Sequence, residues 1–489
     1  APLAWRSVRG APPGCGHSRP AMAPSHVPRA ACALLGLALG ARAQVWIMAP
    51  ESLVQQYAET RGAIVGATAT FGAPFYGDRV LGQLVYGESQ GHSFCTDEDY
   101  KIPTPSMRGS NYKEVKLINI IMVRRGGECS ITEKVKVAYK KGAHAVVVVD
   151  KEDSQLTASD MPRVIVKDDG TGDEVHIPSI LVSKEDGRRL IDTLKQSEVV
   201  VELKWTIPTD RVVNAELWMS SASESSLKFL RDFSSKRRAL NKVLAFQPHY
   251  SIFSIDSHDY DTIRNLCLDT SGRFCTEDPD GSGPLTGRDV VQENLRQLCI
   301  HDLYKKDQQD TGAVKFAEQY WSYMESFWSR CAPPKFGQEC SGELMTQVGI
   351  DPNIVSNCVV QTGTRRLKEE LRHRAWSPRA LRINGWRFSG VMSADLVTRA
   401  ICSGFIEQPR ECQDLLKPRD PFVAYVPQEN NGVSFGTFFT WLLVTVLLAF
   451  VLLLLYKRYL QRDMRTTLRE EVMLEVQSAM GQYSQMTGK

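Results

Sequence analysis

The residues of this 489-residue sequence best able to do chemistry are its cysteines. Cys15 and Cys32 fall in a leader. The remaining ten are Cys95, Cys129, Cys267, Cys275, Cys299, Cys331, Cys340, Cys358, Cys402 and Cys412. None forms a Cys-x-x-Cys pair or has zinc-like spacing, and the nine histidines are scattered without a His-Glu-x-x-His. Metal hydrolysis therefore has no motif to rest on. An even set of widely spaced cysteines suits disulfides made in an oxidising compartment. The eight from Cys267 onward allow on the order of a hundred pairings, and the sequence does not choose among them.

Three other stretches carry polar or aromatic chemistry. Arg124-Arg125-Gly126-Gly127-Glu128-Cys129 places two guanidinium groups before a cysteine, a chemistry suited to carboxylates and peptide carbonyls. Asp278, Asp280 and Ser282, followed by Gly283 and Asp289, approximate the oxygen-ligand spacing of a calcium loop. Against calcium stand Asp289 in place of a bidentate glutamate, the unusual Pro284 and Gly287, and the competing reading of a disulfide-flanked turn. No other cofactor is expected. Near the end, Tyr483-Ser484-Gln485-Met486 fits the Tyr-x-x-Φ pattern that a clathrin-adaptor subunit reads as an extended peptide.

The elements that must position these groups follow from the apolar pattern. Composition is ordinary, 43% hydrophobic and 24% charged with net charge +3, which gives no prior for nucleic acid. Residues 1–21 read as a non-native leader. Residues 22–43 have a weakly basic start, a short apolar segment and a small-x-small site at Ala41-Arg42-Ala43, the form of a signal peptide. Residues 436–456 run uncharged for long enough to cross a bilayer, and Lys457, Arg458, Arg462 and Arg465 follow at once. The positive-inside bias predicts a type I single-pass protein, with residues 457–489 as a cytosolic tail and all ten cysteines lumenal. Helical character is expected over 458–480.

Upstream of the span, cysteine density marks a boundary. Residues 50–207 hold two cysteines and short β-type runs (71–87, 115–126, 143–150, 176–183, 199–205), with helical patterns at 131–142 and 184–194. They predict an α/β or α+β domain. Residues 210–412 read as strand–helix (212–233), then cysteine-bearing helices, then strand, Asn-Gly turn, strand and helix (377–402). The aromatic run 320–328 has the spacing of a core-facing helix. Residues 413–435 read as a linker.

The run Arg125-Gly126-Gly127-Glu128-Cys129, then a helix, then Lys141-Gly142-Ala143-His144 with its valines, then Ile177-Pro178, resembles a protease-associated (PA) domain. Further motifs occur in order: FGAPFYG (71–77), AELWMSS (215–221), AFQPHYSI (245–252), GRFCTEDPDG (272–281), GIDPNIVSNC (349–358), INGWRFSG (383–390) and RAICSGF (399–405). Together they are similar to the plant and algal vacuolar sorting receptors. The resemblance implies a Cys95–Cys129 pair, a thioredoxin-like central domain with a helical, disulfide-bearing insertion, and a cargo-peptide site at the arginine before Cys129. That family has Arg-Gly-Asp-Cys there. This chain is one residue longer, so Arg125 is favoured with Arg124 beside it and Gly126 and Gly127 between. Met486 stands where the family has leucine in its tail signal.

Two departures matter. Where a thioredoxin-fold enzyme needs its thiolate, this chain has Ser220-Ser221-Ala222-Ser223, without the cysteine pair of the receptors. Only Gln413 to Phe435 separate Cys412 from the span, where the family has EGF-like repeats. The resulting expectation is a non-enzymatic receptor of the Golgi, trans-Golgi network or prevacuolar endosome. It would bind soluble cargo proteins through a vacuolar sorting peptide and couple them to the clathrin adaptor. The competing readings are a membrane-anchored PA-domain protein with thiol–disulfide or proteolytic activity, or one with an adhesion role.

Overall fold

In Val200–Thr206 every second residue, Val201, Leu203 and Trp205, is buried, and those between are partly exposed. This is the alternation of a strand with one face on a core. The computed structural model describes residues 42–86, 94–96, 102, 107–110, 113–256, 259–281, 283–307, 314–427 and 435–486. Residues 1–41, with most of the expected signal peptide, and Ser282 lie outside them. Seven strands close a barrel: β1 (Arg42–Ala49), β2 (Ala63–Thr68), β3 (Arg79–Tyr86), β4 (Ile118–Arg124), β5 (Ala145–Val149), β6 (Ser179–Val182) and β7 (Val200–Thr206). Their order is β1-β2-β6-β5-β4-β3-β7, with β3 to β6 mutually parallel. The barrel thus begins at Arg42 rather than at residue 50, because β1 pairs with both β2 and β7 and closes the sheet.

The continuous apolar runs of β4 and β5 are buried on both faces, as parallel strands are. Ile121, Val123, Val146 and Val148 join Val135, Val137 and Ala138 of helix α1 (Ile131–Lys140) in one cluster. Ile120, Met122, Val147 and Val149 join Leu190 and Ile191 of helix α2 (Lys184–Leu194) in another. Each such side chain contributes roughly 2 kcal/mol of apolar burial before entropy is counted. Serines start both helices: Ser130 Oγ accepts from Glu133 N, and Ser183 Oγ from Asp186 N.

The second domain has the expected order of elements. Strand β8 (Val213–Met219) leads into α3 (Glu224–Ala239) and β9 (Leu244–Tyr250), parallel to β8. The insertion includes α4 (Gly287–Tyr304), α5 (Glu318–Cys331) and α6 (Pro352–Arg372). Strands β10 (Ala380–Ile383) and β11 (Trp386–Arg387) and helix α7 (Ala394–Ser403) follow. Sheet order is β9-β8-β10-β11. Asn384 and Gly385 turn between the last two strands with φ of 50° and 78°, the hairpin geometry that this dipeptide favours. Tyr320, Trp321, Tyr323, Met324 and Phe327 of α5 are buried, so the aromatic run is core. The disulfides are Cys95–Cys129, Cys267–Cys275, Cys299–Cys358, Cys331–Cys340 and Cys402–Cys412.

FGAPFYG joins the two domains. Tyr76 Oη donates to Ser389 O and accepts from Ser389 N, both at 3.0 Å, and its ring stacks on Phe388. Gly390 N donates to Ala69 O at 3.0 Å and Val391 N to Gly72 O at 2.7 Å, a strand-like contact across the seam. Gly390 has φ +96°, and a Cβ there would lie 2.4 Å from Pro74 Cδ, so only glycine fits. The expected linker is no free spacer up to Pro427. Arg419 donates to the carbonyls of Ala73 and Pro74 at 2.9 Å each, and Phe422 and Tyr425 pack on the same core.

Residues 428–489 form a second unit. Its helix α8 (Phe435–Met486) is unbroken. Among the described residues, this helix alone is long and apolar enough to cross a membrane, over Phe439–Arg462 with mean hydropathy 2.6. The helix does not stop near residue 480. It continues through the backbone of Tyr483–Met486, because one glycine, Gly481, among good helix formers does not end it.

Candidate functional site

The C-terminal ends of the parallel strands β3, β4 and β5 gather the candidate site. Tyr86 ends β3, Arg124 ends β4, and Asp150 follows β5. Arg124 Nε donates to Tyr86 Oη at 3.0 Å, and its Nη1 donates to Glu152 Oε1 at 2.6 Å. Arg188 of α2 also donates to Glu152. Hydrogen bonds from Arg188 and Arg124 hold the Glu152 carboxyl below its ordinary value. Lys184 donates to the carbonyls of Glu152 and Ser154 and fixes this corner.

Arg125 is held differently. Its backbone N donates to Val149 O at 2.8 Å, extending the sheet by one residue. Its Nη1 reaches Asp150 Oδ1 at 3.1 Å. The Asp150 side chain is wholly buried, whereas that of Arg125 is 38% exposed. The second carboxylate oxygen, Oδ2, is buried and accepts no hydrogen bond from the described residues. A buried anion thus aims one edge of the guanidinium inward and leaves the rest open to solvent. Beyond it, Gly126 (φ +104°) and Gly127 (φ +85°) turn the chain through left-handed geometry, with open space around Gly126. Cys129, tied to Cys95, ends the loop, and Ser130 at the start of α1 donates to Asp169 of the 165–174 loop.

The sequence pointed to Arg124, Arg125, Gly126 and Gly127, and the structure brings all four to one rim. Sequence reasoning passed over Asp150, Glu152 and Tyr86. The available signal was an aspartate at the end of a four-valine run, since ligands of parallel sheets gather at the carboxyl ends of strands.

The expected calcium loop includes Ser282, which lies outside the described residues, and its aspartates make local hydrogen bonds. Asp278 Oδ1 accepts from the backbone N of Asp280 and Gly281, and Asp280 Oδ2 accepts from Leu285 N. Asp289 is the third residue of α4 and forms a capping box with Thr286. Each carboxylate thus serves its own turn or helix start. Among the described residues no group of three or more His, Cys, Asp or Glu side chains is placed to hold a metal.

Where a thioredoxin-fold thiolate would lie, Ser221 N and Oγ bond to Asn294 Oδ1 and Val290 O, and Ser223 caps α3. Every described cysteine is in a disulfide. The run Gly87-Glu88-Ser89-Gln90-Gly91 matches the Gly-x-Ser-x-Gly pattern by spelling. It lies outside the described residues, and by itself the pattern is weak. His144 is structural: its Nδ1 accepts from Asn119 N at 3.3 Å and its ring meets Phe422 edge-on.

Residues 80–190 match the PA domain family, and residues 213–402 match the vacuolar sorting receptor thioredoxin-like domain. Over these regions the chain is similar to the vacuolar sorting receptors. It is 30% identical to vacuolar-sorting receptor 3 of Arabidopsis thaliana over 400 residues, 75% of this chain and 60% of that protein. It is also 30% identical to vacuolar-sorting receptor 1 of Pisum sativum over 379 residues, 71% of this chain and 58% of that one. The chain thus spans about three-fifths of the length of the family members it matches. A DsbA from Mycobacterium tuberculosis is similar to 43% of the chain at 11% identity and a TM-score of 0.28, a likeness too slight to carry any argument. Single-pass membrane attachment accords with this family and with the apolar part of α8.

Proposed function

We propose that this protein is a type I cargo receptor that holds a sorting peptide of soluble vacuolar or lytic-compartment proteins against the rim around Arg125. The carrying observation is the half-exposed Arg125 guanidinium pinned by the buried Asp150. Such a group is pre-oriented, so a peptide carboxylate or carbonyl meets it without first ordering a long side chain. Arg124 is bonded to both Tyr86 and Glu152 and stands as a supporting cation. The open left-handed Gly126-Gly127 turn lets a peptide backbone approach closely. The chemistry is binding; the family relatives are receptors by name, and no described cysteine is a free thiol. The cargo would be taken up in the Golgi or endosomal lumen, and Tyr483 with Met486 would engage a clathrin-adaptor subunit.

The test immobilises the full chain in nanodiscs and measures capture of soluble vacuolar proteins at neutral and mildly acidic pH. Wild type is expected to retain cargo at one pH and release it at the other. The Arg124→Ala/Arg125→Ala variant is expected to lose at least ~10-fold in affinity, the scale of one lost charge-assisted contact. Unchanged capture by that variant refutes the site.

A further inference from the structure

Beyond the apolar span, α8 continues as a helix whose charges are sorted by face. Arg458, Arg462, Arg465 and Arg469 are separated by four, three and four residues, the spacing of a single helical face. All four are exposed. Glu470, Glu471 and Glu475 are turned about 100° or more from the centre of that face at 3.6 residues per turn. Basic residues that merely anchor a span cluster at the interface. This column instead climbs about 16 Å along the axis, at 1.5 Å per residue from Arg458 to Arg469. The headgroup region outside the hydrocarbon core is only several ångströms deep on each side. Its outer arginines therefore stand above the plane occupied by the phosphates of ordinary phospholipids.

The geometry points to a binding surface for polyphosphorylated inositol lipid headgroups in the cytosolic leaflet. This inference rests on the type I orientation proposed above. A multivalent headgroup that projects from the bilayer matches a column of guanidinium forks by charge and by height, whereas a flat anionic headgroup reaches only its base. Farther along the same face lie Val472, Val476 and Met480, which are exposed. The position of Tyr483, seven residues after Val476, is on that face too while the helix persists. Lipid bound by the arginines holds this part of α8 in its helix, so the tail keeps its tyrosine segment helical and away from a cytosolic reader that needs it extended. Lipid engagement and adaptor reading are thereby exclusive.

The experiment reconstitutes the full chain into vesicles of phosphatidylcholine alone, with phosphatidylserine, or with phosphatidylinositol bisphosphate at matched total charge. Enrichment of a headgroup-labelled lipid around the protein is read by fluorescence quenching. Enrichment of the inositol lipid is expected, falling about five-fold for each arginine replaced by glutamine among Arg462, Arg465 and Arg469. Lysine replacements should keep most of it. In the same vesicles, purified adaptor subunit should bind better when the inositol lipid is absent or the arginines are glutamine. Equal enrichment of phosphatidylserine, or an unchanged triple-glutamine variant, overturns the lipid assignment. Adaptor binding indifferent to lipid and to the arginines, in a chain that still binds adaptor through Tyr483, overturns the exclusivity. Failure of cargo capture in the lumenal assay would bear on the cargo proposal alone.

Discussion

Arg125 and Asp150 can be separated by a four-member set: wild type, Arg125→Ala, Asp150→Asn and the double variant. Asp150 is wholly buried and accepts its one described side-chain hydrogen bond from Arg125. Removing one partner of a fully buried ion pair costs about 3–5 kcal/mol. Here the guanidinium is 38% exposed, so the pair is partly screened and the expected loss for Arg125→Ala falls to about 2 kcal/mol. Asp150→Asn keeps the shape and an acceptor oxygen but removes the charge, at about 1 kcal/mol. In the double variant no orphan charge remains, so its loss should be smaller than the sum of the single losses by about 1 kcal/mol. Denaturant midpoints of the full chain, followed by tryptophan fluorescence, provide the stabilities. Peptide affinity measured on the same samples separates positioning from folding. Asp150→Asn should lower affinity several-fold while moving the midpoint less than Arg125→Ala does, because the guanidinium is no longer aimed. Additive stabilities would refute the pairing, and an unchanged affinity for Asp150→Asn would refute the claim that Asp150 orients Arg125.

Two further outcomes follow from the seam and from two histidines, the buried His301 and the half-buried His144. Gly390→Ala places a methyl 2.4 Å from Pro74 Cδ and 2.9 Å from Gly72 O in a left-handed backbone, so the strand-like joint must open. A loss of roughly 3 kcal/mol and new proteolytic cleavage near residues 70–78 are expected, and intact resistance to protease would count against the joint. Burial pushes the His301 imidazole down, with Lys305 and Arg237 adding to this and Asp302 opposing it; burial and then Lys116 push His144 down. Below the ordinary imidazole pKa of about 6.5 the unfolded chain therefore binds protons that the folded chain refuses, so stability falls from there toward the folded values. Denaturant midpoints should drop from about pH 7 to about pH 5, less steeply in His301→Gln, and an identical slope in that variant would contradict the assignment.

Much of this architecture was readable because its signals are local. Valine runs, helical apolar spacing and the Asn-Gly turn each act within a few residues, and the elements they predict are present. Strands β1 and β2 were missed for a physical reason. Val45 and Ile47 follow directly on an apolar leader, and the short Ala63–Thr68 run has small residues on both faces. Both are recognisable only once the barrel must close. At the site, the arginines announced themselves by type, whereas Asp150 acquires its role from strand register, which pairs Arg124 with Val149 across β4 and β5. The calcium spacing does not by itself separate oxygen ligands from turn-capping groups, because they are the same residue types. What separates them is convergence on one point, and spacing alone does not encode that.

The segment after Cys412 shows most clearly how tertiary contact redefines a stretch that sequence leaves plain. LLKPRDPFVAYVP has the proline and charge content of a spacer. Yet Arg419 bonds two carbonyls of FGAPFYG and lies 4.1 Å over the Phe75 ring, while Tyr425 N donates to His176 O. Phe422 has Lys116 Nζ 4.0 Å above its ring and meets the edge of His144. The strap therefore touches the barrel, the seam and the second domain through Ser393, which hydrogen-bonds Tyr425 Oη. A hinge at the seam would have to break these contacts together with the Tyr76–Ser389 and Gly390–Ala69 bonds. The barrel that carries the Arg125 rim and the thioredoxin-like domain are consequently parts of one body. A protonated His144 could no longer accept from Asn119 N and would set a second cation beside Lys116 against Phe422. Lys116 opposes that charge and Asp420 of the strap favours it, so acid removes the Asn119 bond inside the barrel while the Arg419 bonds of the strap stay in place.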